Sequence, residues 1–112
     1  MKEVTLSHGI RERPGLQERI QQATQLLEEV LGADAGAVRG EWDQGEDARG
    51  RTLLILRLSD FTGSVAAAFE PDELESPNHL SSRFNRLWAD LLRIRSHRQL
   101  QEILQGSAEE GG

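Results

Sequence analysis

The sequence predicts an α+β domain with the element order α-β-β-β-α(α): a three-stranded antiparallel meander with its helices packed on one face, assembled as a dimer. Three observations carry this reading. Apolar residues recur with a helical period across residues 16–31, the period changes to two between residues 38 and 69, and the helical period returns after Ser76.

The first 13 residues read as a polar arm, with a weak alternation at Val4 and Leu6 that suits a short edge strand. Pro14 is tolerated in the first turn of a helix. Leu16, Ile20, Ala23, Leu27, Val30 and Leu31 then form one apolar stripe, and Gly32 follows as a natural C-cap, which predicts a helix over 14–31. Val38, Gly40 and Trp42 alternate with Arg39, Glu41 and Asp43, as in a strand buried on one face. Residues 44–50, with two glycines around charged residues, read as a turn. Thr52 to Ser59 is apolar on both faces, which suits a middle strand. A short loop at Asp60-Phe61-Thr62-Gly63 leads into a third strand, Ser64–Phe69.

Pro71 can open a single helical turn. Ser76-Pro77 repeats an N-cap and first-turn signal, and Leu80, Phe84, Leu87, Trp88, Leu91 and Leu92 predict a second amphipathic helix over about residues 77–94. Ser96 and Gln99 have the spacing of a capping box, so Leu100, Ile103 and Leu104 belong either to a separate short helix or to a continuation through 104. Residues 14–105 thus form one domain. The segment 106–112, of Gly, Ser, Ala and Glu, has nothing to bury and is expected to be a disordered tail.

The expected core comprises the helix stripes, Val38, Trp42, Val65, Ala67, Phe69 and one side of the middle strand. Its other side, with Leu53 and Ile55 beside Ala66 and Ala68, is left bare by helices on a single face. A second copy of the chain is the simplest cover, because symmetric dimers are the commonest oligomers. Leu53, Ile55, Ala66 and Ala68 are therefore the expected interface.

Composition removes several chemistries. The 112 residues include no cysteine, so disulfides, thiolate metal sites and cysteine nucleophiles are excluded. Lys2 is the sole lysine, which argues against a phosphate-loop or Schiff-base lysine. The sequence has no Gly-x-Ser-x-Gly, His-Glu-x-x-His or Gly-x-x-x-x-Gly-Lys motif. Ser7-His8 and Ser96-His97 are neighbours in sequence only, and adjacency alone does not build a nucleophile–base pair. His8, His79 and His97 are too scattered for a recognisable metal set, and Glu41, Asp43, Glu46 and Asp47 lack the ligand order of an EF-hand. No catalytic residue, metal or cofactor is expected, and a small enzyme or ligand-binding domain stays open only where a pocket brings distant residues together. No apolar run approaches the ~20 residues that span a bilayer, and the first residues lack the apolar region of a secretory signal. Together with arginine as 12 of the 13 basic residues, these features lead us to expect a cytoplasmic bacterial protein.

Charge is the most informative polar feature. The formal net charge is −6, yet residues 81–100 carry Arg83, Arg86, Arg93, Arg95 and Arg98 against Asp90 alone. Arg83, Arg86, Asp90, Arg93 and His97 follow spacings of 3, 4, 3 and 4 and so share one helix face. A run of charge on a helix reads first as a solvated face with local ion pairs; the same face also suits an anion, nucleic acid or an acidic protein partner, including the chain's own acidic segments across a dimer. Trp42 and Trp88 lie on apolar stripes and belong to the core.

The run Gly63-Ser64-Val65-Ala66-Ala67-Ala68-Phe69-Glu70-Pro71-Asp72-Glu73-Leu74 resembles the third strand and following turn of the YbaB/EbfC nucleoid-associated family, and the order of elements from Leu16 to Leu92 is similar. Trp42 and the Leu53–Leu56 run depart from that pattern. The resemblance implies a small DNA-binding dimer without enzymatic activity.

The leading functional expectation is a non-catalytic protein-interaction module, a homodimer acting as adaptor or accessory subunit. The alternative is a nucleic-acid-associated dimer that grips phosphates through Arg83, Arg86, Arg93, Arg95 and Arg98. The overall negative charge weighs against the alternative.

Overall fold

The computed structural model describes residues 3–110, with side chains to Gln105. The chain is α+β. Its strands are β1 (Glu3–Leu6), β2 (Arg39–Glu46), β3 (Thr52–Asp60) and β4 (Gly63–Phe69), and its helices are α1 (His8–Arg11), α2 (Pro14–Leu31) and α3 (Pro77–Glu110). Short 3-10 segments at Gly32–Ala37 and Pro71–Glu75 join α2 to β2 and β4 to α3.

The sheet has four strands in the order β1-β2-β3-β4. It is mixed, which corrects the expected three-stranded antiparallel meander. β2, β3 and β4 do form that meander, but β1 pairs parallel to β2, with Glu3 opposite Arg39 and Leu6 opposite Trp42. A parallel partner requires a long crossover, which α1 and α2 supply. Residues 3–13 of the polar arm thereby pack onto the domain: Ser7 N–H donates to the Trp42 carbonyl at 3.0 Å, and Ile10 of α1 is fully buried.

Period-two alternation sorts the sheet into two faces. Trp42, Leu54, Leu56, Leu58 and Phe69 are buried against the helices together with Ile20, Leu27, Leu80, Phe84 and Leu91. Rings of Trp42, Phe69 and Phe84 form a chain through this core, with centroids 6.0 and 5.6 Å apart. Trp42 Nε1 donates to Thr24 Oγ1 at 3.1 Å, and that hydroxyl donates to the Ile20 carbonyl at 2.8 Å. The one indole donor facing α2 is thus satisfied inside the core, as burial requires.

The turn between β2 and β3 begins later than residue 44, because β2 continues to Glu46. Asp47 Oδ1 accepts from the Arg49 and Arg51 amides, and Gly50 takes a φ of 77°, a conformation that glycine adopts at no steric cost.

α3 is one helix and passes both expected ends, at 94 and at 104. Its first half buries Leu80, Phe84, Leu87, Trp88 and Leu91. Every residue from Ser96 to Gln105 is exposed, including Leu100, Ile103 and Leu104. Ser96 therefore lies within a continuous helix rather than capping a new one. The backbone of the expected tail is helical as far as Glu110, and residues 111–112 lie outside the described residues.

Candidate functional site: an open sheet face and an arginine-bearing helix flank

β3 carries Leu53, Ile55 and Arg57 on the face away from the helices. In register beside them stand Gly45, Asp43 and Glu41 of β2, and Ala68 and Ala66 of β4. Leu53 and Ile55 are half-buried, Ala66 and Ala68 are exposed, and no described helix covers this face. The partial burial of Ile55 has a local cause. Its Cδ1 lies 3.0 Å from where a Cβ on Gly45 would stand, so the missing side chain lets Ile55 lie flat across β2. The four residues expected at an interface are thus brought together on one open surface.

Arg57 on this face was not singled out from the sequence, and Glu41 only as one of four acidic residues around the β2–β3 turn. Arg57 and Glu41 are direct cross-strand partners, yet neither forms an ion pair with a described residue. Period two already places Arg57 on the side of Leu53 and Ile55, so the signal was present in the strand pattern.

The five arginines of α3 do not act as a unit. Arg83 lies over the Phe69 ring, 4.2 Å from its centroid, and donates at 2.9 Å to both Glu73 Oε2 and the Ala68 carbonyl. Arg95 lies 5.2 Å from the Trp88 ring centre and donates through Nε and Nη2 to Asp60 Oδ2 at 3.1 and 2.9 Å. Both guanidiniums therefore fasten α3 to the rest of the domain. Arg93 and Arg98 make loose contacts of 3.7 Å with Asp90 and Glu102, and Arg86 is exposed without an ion pair to any described residue.

Carboxylates answer these contacts. Burial works to raise the Asp60 carboxyl, but the Thr62 hydroxyl and amide and the Arg95 guanidinium outweigh it and hold its pKa below the ordinary value. Glu73 is lowered in the same way: burial opposes, while His79, the Glu70 amide and Arg83 prevail. At Asp47 the main-chain bond from Arg51 leads in lowering the pKa.

Among the described residues, no group of three or more His, Asp or Glu side chains is placed to hold a metal ion. His8 pairs with Glu12, His79 with Glu73, and His97 lies 3.1 Å from Gln101, three separate places on the surface. Within the described residues no helix is long and apolar enough to cross a membrane.

No family model, curated protein or solved structure matches the chain. Its function must be argued from its own surfaces. The likeness of residues 63–74 to the YbaB/EbfC pattern stands on those residues and on element order alone.

Proposed function

We propose that the chain is a non-catalytic protein-interaction module, a homodimer acting as adaptor or accessory subunit. The observation that carries this reading is the open sheet face, where Leu53, Ile55, Ala66 and Ala68 gather with no described element over them. Apolar side chains gathered on an uncovered sheet face suit a contact site. The charges around it favour a second copy as the cover. An isologous interface needs self-complementary groups, and Arg57 and Glu41, neither of which forms an ion pair with a described residue, can pair reciprocally across a two-fold axis. The alanines leave room for those longer side chains.

The nucleic-acid reading draws less support, because Arg83 and Arg95 are already committed to Glu73 and Asp60. That leaves Arg86, Arg93 and Arg98 to meet phosphates on an acidic protein.

Isotope-filtered NOE spectra of a mixture of labelled and unlabelled protein test the interface directly. Intermolecular contacts among the methyl groups of Leu53, Ile55, Ala66 and Ala68 are expected. A dimer whose intermolecular contacts avoid all four residues would overturn the assignment of the face.

A further inference from the structure

The sheet also has an open edge. β4 pairs with β3 on one side and with no described strand on the other. The two-residue connection Phe61–Thr62 makes Asp60 and Gly63 the closing pair, so the alternation of the ladder turns the main-chain groups of Ser64, Ala66 and Ala68 outward. The Ala68 carbonyl shows this orientation, since it accepts from Arg83 Nη1. The outward groups of Ser64 and Ala66 have no hydrogen-bond partner among the described residues. Natural sheet edges are protected by charge, proline, bulges or a covering helix or loop, and the described cover here is Arg83 of α3, at the Ala68 carbonyl alone. The sequence of β4, Gly-Ser-Val-Ala-Ala-Ala-Phe, has no charge or proline, and its register is unbroken.

α3 runs beside this edge in the opposite sense. Gly63 abuts Ile94, Phe69 abuts Phe84, and a Cβ on Gly63 would stand 3.0 Å from Ile94 Cγ2. The flank of α3 that bears Arg83 also bears Arg86, Asp90, Arg93 and His97, and the Arg83 bond to Ala68 sets that flank on the outer side of β4. At the Gly63 end a cleft of about 630 Å³ opens between Thr62 and α3, lined by Arg93, Ile94, His97, Arg98 and Glu102.

We propose that the β4 edge and the arginine-bearing flank of α3 form one groove that takes an extended acidic segment of a partner protein as a fifth strand. The proposal rests on the interaction-module reading and names the partner's chemistry. A strand laid along β4 exchanges main-chain hydrogen bonds with Ser64 and Ala66, while alternate side chains turn toward α3. Those side chains meet Arg86, Arg93 and His97 with Asp90 the one described carboxylate on the flank, in loose 3.7 Å contact with Arg93, so the balance suits carboxylates better than ammonium groups. The main-chain bonds hold the segment, and the arginines select its charge.

The test uses the full chain, labelled with nitrogen-15, and a capped peptide of about nine alternating valine and glutamate residues, a length that matches an ordinary strand. The control peptide has lysine for glutamate. The acidic peptide is expected to shift the Ser64 and Ala66 amide signals, to slow their hydrogen exchange, and to bind at least about tenfold more tightly than the control. Arg86→Glu combined with Arg93→Glu, both at exposed sites, is expected to reverse the preference. Ala66→Pro is expected to abolish binding, because it deletes an outward amide and leaves the β3–β4 ladder bonded.

Silence of Ser64 and Ala66 at ~1 mM acidic peptide, or equal binding of the two peptides, would overturn the proposal. A monomeric protein that binds the acidic peptide at this edge supports the groove and removes the homodimer. A dimer that fails to bind it removes the groove and leaves the interaction-module reading standing.

Discussion

Arg95 of α3 donates to Asp60 at the end of β3, with Nη2 2.9 Å from Oδ2, across 35 residues of sequence. The Asp60 side chain is fully buried and that of Arg95 is 17% exposed. A carboxylate so placed needs all its donors, and Thr62 provides the others. The pair marks the point where α3 stops packing and begins to project, since every residue from Ser96 to Gln105 is exposed.

Asp60→Ala leaves the mostly buried Arg95 guanidinium with only its looser 3.6 Å contact to Asp34 and frees the Thr62 turn. Removing one partner of a buried pair costs more than the pair contributes net. We expect a loss of about 2–4 kcal/mol in urea unfolding, against less than about 1 kcal/mol for Arg93→Ala, whose contact with Asp90 is exposed.

Acid weakens the same clip. Asp60 and Glu73 both have folded pKa values held below their unfolded ones, and the unfolded values lie near ~4. In acid the unfolded chain therefore binds more protons than the folded one. Their stabilisation is complete above the unfolded pKa and is lost as pH falls through the folded values. Urea midpoints are expected to be flat from neutrality down to about pH 5 and then to decline. Asp60→Asn combined with Glu73→Gln flattens that decline, whereas an unchanged slope in this variant would refute the assignment.

Thr24→Val removes the acceptor of the Trp42 indole and leaves a buried donor without a partner. The expected cost is about 1–3 kcal/mol. Pairing it with Trp42→Phe, which removes that donor, is expected to cost less than the sum of the two single changes in a double-mutant cycle.

The two halves of α3 respond differently to truncation of apolar side chains. Leu91→Ala, in the buried half, is expected to destabilise by about 2–5 kcal/mol. Leu100→Gln and Ile103→Gln lie at positions 54% and 65% exposed and are expected to change stability by less than about 0.5 kcal/mol. Thermal and urea unfolding of the three variants checks the contrast.

The two-faced character of the sheet was legible because period two separates Leu54, Leu56 and Leu58 from Leu53, Ile55 and Arg57 with no help from the rest of the chain. The parallel pairing of β1 was not. Val4 and Leu6 form too short an alternation to specify a strand, and their partner begins 36 residues away from Glu3, beyond any local signal. The length of α3 was masked by Ser96 and Gln99, whose spacing imitates a helix start although both sit exposed within the helix. The arginine stripe was visible as helical spacing, but spacing could not show that Arg83 meets Glu73 and Arg95 meets Asp60. Those contacts depend on where β3 and the Pro71–Glu75 segment come to rest.

The claim that the open sheet face joins two copies is tested most directly by sedimentation of the wild-type chain and of Ile55→Glu over low to high micromolar concentrations. The account predicts a dimer for the wild type. It predicts a monomer with an unchanged circular dichroism spectrum for Ile55→Glu, because the glutamate would add a third carboxylate, beside Asp43 and Glu41, to an interface with Arg57 as the cation of that cluster. A wild-type chain that remains monomeric at several hundred micromolar (~10⁻⁴ M and above), or an Ile55→Glu variant that dimerises as tightly as the wild type, would contradict it.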